Sequence, residues 1–199
     1  MNLAEKSQAT LDVFGELESE TKQFVSESGL GCVSGCGFCC ANPKVPASPL
    51  EFLPLAFDLY DKGLAESTLA TLELKEEGAS CVIYRPQSAD GKQGFCGNHT
   101  KRGMICRLFA ASARRTKYGK KDLIICKVLK EEKAEAFLST SERINKDMEI
   151  PLATAFYSRL EEIDQSLCQQ FTINEAIGFA LELVLRYKFY EEQEFDVIA

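Results

Sequence analysis

The chain has 199 residues, 45% of them hydrophobic, and 30 acidic against 23 basic side chains give it a net charge of −7. A chain of this length buries roughly 70% of its unfolded surface on folding, so it needs neither metal nor disulfide merely to hold a core, and its acidity argues against a surface built throughout for nucleic acid. Its longest apolar run, near residues 179–185, is broken by Glu182 and falls far short of the roughly 20 residues of a membrane span.

Residues 3–28 predict one amphipathic helix, with Leu11, Phe14, Leu17, Thr21, Phe24 and Val25 recurring at three- and four-residue steps. Gly29 and Gly31 end it and open a loop that carries Cys32, Cys36, Cys39 and Cys40. Gly31, Gly35 and Gly37 are expected to supply positive-φ turns that wrap this loop around an ion or cluster. Asn42-Pro43, Pro46 and Ser48-Pro49 predict an extended connection. Ser48 and Glu51 have capping-box spacing around Pro49 and start a helix through Leu53, Phe57 and Tyr60. Gly63 stops that helix, and a short one follows over Ala65 to Glu77 until Gly78. Cys81 to Tyr84 and Leu123 to Cys126 are the two strand candidates, with turns over residues 85–91. In the last third, Ser139 with Glu142 and Thr172 with Glu175 have capping-box spacing, and Pro151 suits a first helical turn. Leu152, Phe156, Leu160, Ile163 and Leu167 form one stripe; Ile173, Ile177, Leu181, Val184, Leu185 and Lys188 form another, both expected to pack on the N-terminal helix. The expected fold is mainly α: helices framing an irregular cysteine-rich metal-binding centre with at most two short strands. One domain over residues 1–199 is expected, with an N-terminal helix (1–29), a cysteine-cluster region (30–128) and C-terminal helices (129–199).

Eight of the nine cysteines lie between Cys32 and Cys126, the first four of them within nine residues. Cys81, Cys96, Cys106 and Cys126 are separated by 14, 9 and 19 residues, so a tertiary fold has to gather them. Thiols in this number mean either a metal centre or a disulfide framework. The start, Met1-Asn2-Leu3-Ala4-Glu5-Lys6, has no apolar run or cleavage site of a secretory signal. A soluble cytoplasmic protein with reduced thiols is therefore expected, and metal ligation rather than disulfides. Zinc sites usually draw on two close cysteine pairs, whereas iron–sulfur clusters often take three cysteines from one tight loop and a fourth from a distance. Cys32, Cys36 and Cys39 plus one remote cysteine satisfy the second pattern. Eight thiols fit two four-coordinate centres or one polynuclear centre; if Cys39 and Cys40 lie in extended backbone, their side chains point apart and serve different centres. Cys168 reads as a small buried hydrophobe. Ten Lys and Arg against the single acid Asp122 make residues 101–130 +9 and leave −16 elsewhere. With Phe109 and Tyr118 interleaved, this stretch has the electrostatic footprint of a nucleic-acid surface, but no nucleic-acid motif accompanies it, and offsetting thiolate charge is the simpler role. Arg102 and Arg107 flank Cys106, where a cation would lower the thiol pKa.

The segments Cys32 to Cys40 and Cys96 to Arg107 together resemble the two sequence elements of the CxxCxxCC family of zinc- or iron-chelating domains. Cys81 and Cys126 match further cysteines of that family, and the likeness covers residues 30–128. It departs at one extra residue between Cys32 and Cys36, and at Asn98, His99 and Gly103, where the family usually has Ile, Tyr and Pro. The resemblance implies binding of metal or an iron–sulfur cluster. Longer proteins that look like this module joined to further sequence methylate flagellin lysines, which implies S-adenosylmethionine chemistry. Cys32-x3-Cys36-x-Phe38-Cys39 also has the form of the radical S-adenosylmethionine signature, but no alternating βα pattern follows for its barrel. The expected ligands are Cys32, Cys36, Cys39, Cys40, Cys81, Cys96, Cys106 and Cys126, holding iron, preferably as an iron–sulfur cluster, or else zinc. Arg102 and Arg107 are expected to donate to sulfur or to a bound anion, and His99 to act as a hydrogen-bonding substitute rather than a ligand. The second class of function is a cluster-dependent modifying enzyme or enzyme component using S-adenosylmethionine, and the third a nucleic-acid-binding zinc protein. The partners expected are metal ions, with a protein partner or small-molecule cofactor, and no membrane.

Overall fold

The computed structural model describes residues 1–91 and 93–198. Helix α1 (Leu3–Ser28) starts at Asn2, whose side-chain oxygen accepts from Glu5 N at 2.8 Å while the Glu5 carboxylate accepts from Asn2 N at 2.7 Å. It ends at Gly29, which takes the left-handed conformation, φ 70°, that glycine adopts without a Cβ penalty. Helix α2 (Pro49–Asp61) begins with the expected Ser48–Glu51 capping box and Pro49 in its first turn. Helix α3 (Ala65–Glu73) is a turn shorter than the spacing predicts, because the chain leaves it toward Gly78, φ 83°. Near the end of the chain, α7 (Ala153–Asp164) and α8 (Ile173–Ile198) carry the two predicted apolar stripes, and Thr172 N and Oγ1 both donate to Glu175 at the start of α8.

Helix α2 packs between α1 and α8. Its Leu50, Leu53 and Leu55 are buried with Phe14 and Leu17 of α1 and with Ile177, Leu181 and Val184 of α8. Each such side chain contributes about 1.5–3 kcal/mol when fully buried. A second apolar cluster gathers Phe24, Leu30, Leu123, Ile144 and Met148. Of the short helices α4 (Met104–Leu108), α5 (Lys127–Glu132) and α6 (Ala134–Arg143), α6 packs on this cluster through Ala136 and Phe137, with Ile144 at its C-cap, whereas Met104 and Leu108 of α4 join the main core.

Among the described residues the named strands pair in three antiparallel ribbons: β1 (Pro46–Ala47) with β6 (Phe171–Thr172), β2 (Tyr84–Pro86) with β3 (Gly94–Cys96), and β4 (Ala113–Arg115) with β5 (Lys121–Leu123). These six strands of two or three residues exceed the two that the sequence suggests, and both candidates are displaced. Residues 81–84 make a turn closed by Tyr84 N donating to Cys81 O at 3.0 Å, and β2 starts only at Tyr84. The cause lies in α8: Asn174 accepts from Val82 N at 2.9 Å and donates to Ser80 O at 3.0 Å, holding this segment away from a ladder. Cys126 is not a strand residue but the N-cap of α5, its sulfur accepting from Leu129 N at 3.4 Å. Ser139 and Glu142 fall inside α6, and Pro151 precedes α7 rather than opening it. Among the described residues no helix is long and apolar enough to cross a membrane.

Candidate metal centre

The cysteine loop is fixed to its surroundings through its backbone. Lys133 Nζ donates to Gly29 O at 2.7 Å and to Gly31 O at 3.0 Å, pinning the start of the loop to the α5–α6 junction. Cys36 N donates to Val33 O at 3.2 Å, and Gly35, φ 72°, turns the chain between them. Gly94 N donates to Gly35 O at 3.0 Å, Cys36 bridges Gln93, and Cys81 N donates to Cys40 O at 3.1 Å. Loop, ribbon β2–β3 and the turn at Cys81 are thereby joined by main-chain bonds. The expectation of three positive-φ glycines is corrected: Gly35 alone of the three has one. Gly37 is required for another reason, since a Cβ there would stand 1.9 Å from the Tyr84 hydroxyl. The tyrosine ring fills the place of a side chain and its hydroxyl donates to Gly91 O at 2.8 Å.

Cys39 and Cys40 do not lie in extended backbone, as the two-sided arrangement supposed. Ala41 N donates to Gly37 O at 2.9 Å and Asn42 N to Cys39 O at 3.3 Å, so the pair sits in a tight turn. The adjoining Cys40 side chain holds the Cys39 thiol down to about 6, with the backbone amides of Cys40 and Cys39 and the charge of Arg102 adding to it against burial; Cys40 is pushed far up by the neighbouring Cys39 sulfur and by burial.

Cys106 reaches the centre on α4, and a buried carboxylate sets the start of that helix. Glu51, 0% exposed, accepts from Ser48 N at 2.8 Å and Ser48 Oγ at 3.1 Å with one oxygen and from Ile105 N at 2.9 Å with the other. One residue thus caps two helices, α2 and α4. Gly103 at the N-cap of α4 explains one departure from the family pattern: a Cβ there would lie 2.7 Å from the Phe52 ring and 2.9 Å from Glu51 Oε2. Asn98, another departure, donates to Asp58 Oδ2 on α2 at 2.6 Å.

Five thiols, Cys39, Cys40, Cys81, Cys96 and Cys106, border a cavity of about 30 Å³ together with Arg102; the rest of the wall is mainly apolar, including Val45, Leu55 and Ile83. A water needs about 10–15 Å³ of such space, so this cavity admits a body of about two or three waters. Burial pushes Cys81 up to about 11, and burial with the neighbouring Cys81, Glu51, Cys39 and Cys96 pushes Cys106 well above its ordinary value. Cys96 is raised by burial, against the pull of the Asn98 amide and Arg102. A wider groove of about 800 Å³ adjoins the cavity; Cys39, Cys40, Cys96 and Cys106 border it too, and it adds Cys32, Cys36 and Cys126. Cys32 is exposed as a residue, but burial of its sulfur, then Cys39, Cys36 and Cys126, push its thiol up. All nine cysteines are free. Cys168 packs half-buried against the main core and borders neither the cavity nor the groove, and burial pushes it up to about 11. Among the described residues no three His, Cys, Asp or Glu side chains stand close enough to hold an ion as they are. Coordination therefore requires the thiols to rotate inward. Their chemistry fits a thiophilic ion: soft donors in a largely apolar wall with a cation beside them.

The two arginines play different parts. Arg102 acts on Cys39 and Cys96 and lies against both ring nitrogens of His99; its Nε is buried with no hydrogen-bond partner among the described residues. His99 is held below its ordinary value by burial, then by Arg102 and Arg107. Arg107, 8% exposed, donates to Thr100 O at 2.6 Å and Arg102 O at 3.1 Å and stacks on Phe14 at 4.6 Å, with Glu18 at 3.6 Å. It ties α4 to α1, and Cys106 is raised rather than lowered beside it, contrary to the effect expected of flanking cations, because burial outweighs them.

Sequence reasoning missed Tyr84, Asn174 and the second task of Glu51. Gly37 by itself offers no clue to the distant Tyr84, whereas the capping box at least marked Glu51 as structural. No curated protein and no solved structure matches the chain. A family model described as "Putative zinc- or iron-chelating domain" matches residues 31–137. That span holds the loop, all eight clustered cysteines and the elements that present them, and the chain belongs to the CxxCxxCC family.

Proposed function

We propose that this protein coordinates iron, held as an iron–sulfur cluster, through Cys32, Cys36, Cys39, Cys40, Cys81, Cys96, Cys106 and Cys126. The observation that carries the reading is the convergence of five thiols on one cavity with Arg102 beside them. In apolar surroundings a thiolate is costly unless a cation or a metal shares its charge. A bound iron or cluster would supply that positive charge; the chain's own part is to hold the sulfurs, exclude water and set the local charge. Arg102 offsets the thiolates from between Cys39 and Cys96, Arg107 fixes the helix that carries Cys106, and Glu51 orients that helix.

A second reading, zinc closed by four thiolates, is favoured by the cavity's size, about 30 Å³, which suits a single ion better than a cluster. Anaerobic purification with iron, zinc and acid-labile sulfide analysis and a visible spectrum separates the two. Iron and sulfide in comparable amounts, with broad absorption near about 400 nm as iron–sulfur sites give, support the cluster. Colourless protein with zinc and no sulfide selects the second reading.

A further inference from the structure

We infer that the hairpin β4–β5 is a binding arm for single-stranded nucleic acid, holding phosphates with Arg115, Lys117, Lys120 and Lys121 and stacking a base on Tyr118. Of the ten Lys and Arg in residues 101–130, only Arg102 and Arg107 border the cavity or the groove. Offsetting thiolate charge, the role expected of the whole stretch, therefore falls to those two. Five of the others, Arg114, Arg115, Lys117, Lys120 and Lys121, stand on this one hairpin with the single acid Asp122, which leaves it at +4 on a chain of net −7. Asp122 is taken by Arg114 at 3.0 Å, and among the described residues no acidic side chain pairs with the other four. The acidic remainder repels a polyanion, so attraction is confined to the hairpin.

The tip is a tight loop: Gly119 N donates to Thr116 O at 3.0 Å, Thr116 N donates to Lys120 O at 2.7 Å, and Gly119 takes φ 78°, the left-handed residue that closes such hairpin loops. Lys117 and Tyr118 are thereby held outermost. Tyr118 is 79% exposed, with Lys117 Nζ 4.9 Å from its ring centroid, and an exposed ring among cations is a platform on which a base of any identity stacks. Behind the tip, Arg115 stands directly opposite Lys121. Like charges so placed destabilise a ribbon. A phosphate between them turns that repulsion into attraction, and Cβ atoms about 4.5–5.5 Å apart in such a pair let both side chains reach it. The base of the arm is fixed. Ala113 and Leu123 are buried in the second apolar cluster, Ala113 N donates to Pro151 O at 2.9 Å, and Asn145 accepts from Lys121 N at 2.8 Å and donates to Lys121 O at 3.0 Å. An acidic peptide would satisfy the cations and leave Tyr118 without a role, whereas a nucleotide chain offers a phosphate and a π face at every step.

The test titrates the full-length protein into fluorescein-labelled oligothymidine and oligouridine and reads fluorescence anisotropy, with metal content and helical circular dichroism checked for every variant. A Kd of about 100 μM or tighter is expected at about 50 mM salt. Log affinity should fall against log salt with a slope of about −3, because each of the four phosphate contacts adds about −0.7 on a single strand. Lys117→Gln/Lys120→Gln should bring that slope to about half, and Arg115→Glu/Lys121→Glu should abolish binding. Tyr118→Ala should weaken binding about 5- to 150-fold at an unchanged slope, since the ring stacks and carries no charge. The neutral changes at the exposed tip carry the test should charge reversal disturb the ribbon. Binding of either oligomer in this pattern supports the inference, and the tighter of the two tells RNA from DNA. No change in anisotropy up to about 300 μM protein, or a slope untouched by the tip substitutions, overturns it. Displacement by oligoglutamate as effective as by unlabelled oligothymidine, with Tyr118→Ala binding like wild type, assigns the surface to an acidic protein and overturns the nucleic-acid inference. The metal-binding reading stands or falls separately from each of these results.

Discussion

Replacing Glu51 by glutamine probes how the fold presents Cys106. Burial pushes this carboxyl from its ordinary 4.5 up to about 7, against the hydrogen bonds from Ile105 and Ser48 that pull it down. Below pH 4.5 the group is protonated in the folded and the unfolded chain alike. Between pH 4.5 and 7 the folded chain keeps a proton that the unfolded chain has released, so rising pH favours unfolding; above that both are ionised and the loss is constant. At about 1.4 kcal/mol per tenfold change in proton affinity, this group removes about 3 kcal/mol of stability across the window. The glutamine variant would carry no such dependence. It would instead turn an amide N–H toward one of the buried donors that Glu51 now accepts from, which costs about 1–3 kcal/mol at every pH. Urea denaturation followed by circular dichroism, on wild type and Glu51→Gln side by side from about pH 5 to pH 8, isolates the effect because other titrations are shared. The variant should be less stable at the acid end, and the gap should close or reverse by about 3 kcal/mol at the alkaline end. A gap constant to within about 0.5 kcal/mol would refute the reasoning.

Gly37→Ala should cost about 2–4 kcal/mol and lower the metal content, since its Cβ meets Tyr84; in a Tyr84→Ala background the same change should cost far less, as a denaturation cycle would show. Gly35→Ala has open space around it and only an unfavourable φ of 72°, so about 1–2 kcal/mol is expected with metal retained. Cys168→Ala should leave metal per chain unchanged, because that thiol packs against the core and borders neither the cavity nor the groove. His99→Phe should also leave the metal in place by elemental analysis, the ring being engaged with Arg102.

The helical frame is legible in the sequence because its signals are local. The Ser48–Glu51 and Thr172–Glu175 boxes and the stripes of α1, α7 and α8 are written at spacings of three and four residues. Ser139 and Glu142 show the limit of such spacing: the same pattern inside α6 has no cap to make, because Lys133 already stands at the N-cap. The eight clustered cysteines are legible as a set, but their grouping is not. Bringing Cys39, Cys40, Cys81, Cys96 and Cys106 to one cavity depends on bonds between distant residues, Asn174 to Val82 and Glu51 to Ile105, which leave no periodic trace. The net effect of flanking charge on Cys106 escapes the sequence for the same reason: proximity along the chain says nothing about the removal of water, and here burial outweighs Arg102 and Arg107.

The central claim is that these thiols hold metal, and it is tested most directly by measuring iron and zinc per chain in anaerobically purified wild type beside a Cys81→Ser/Cys106→Ser variant, with helical circular dichroism confirming the fold of each. The account predicts metal in the wild type and, in the variant, loss of about half of it or more at an undiminished helical signal. Equal metal in both proteins, or none in the wild type, would contradict it.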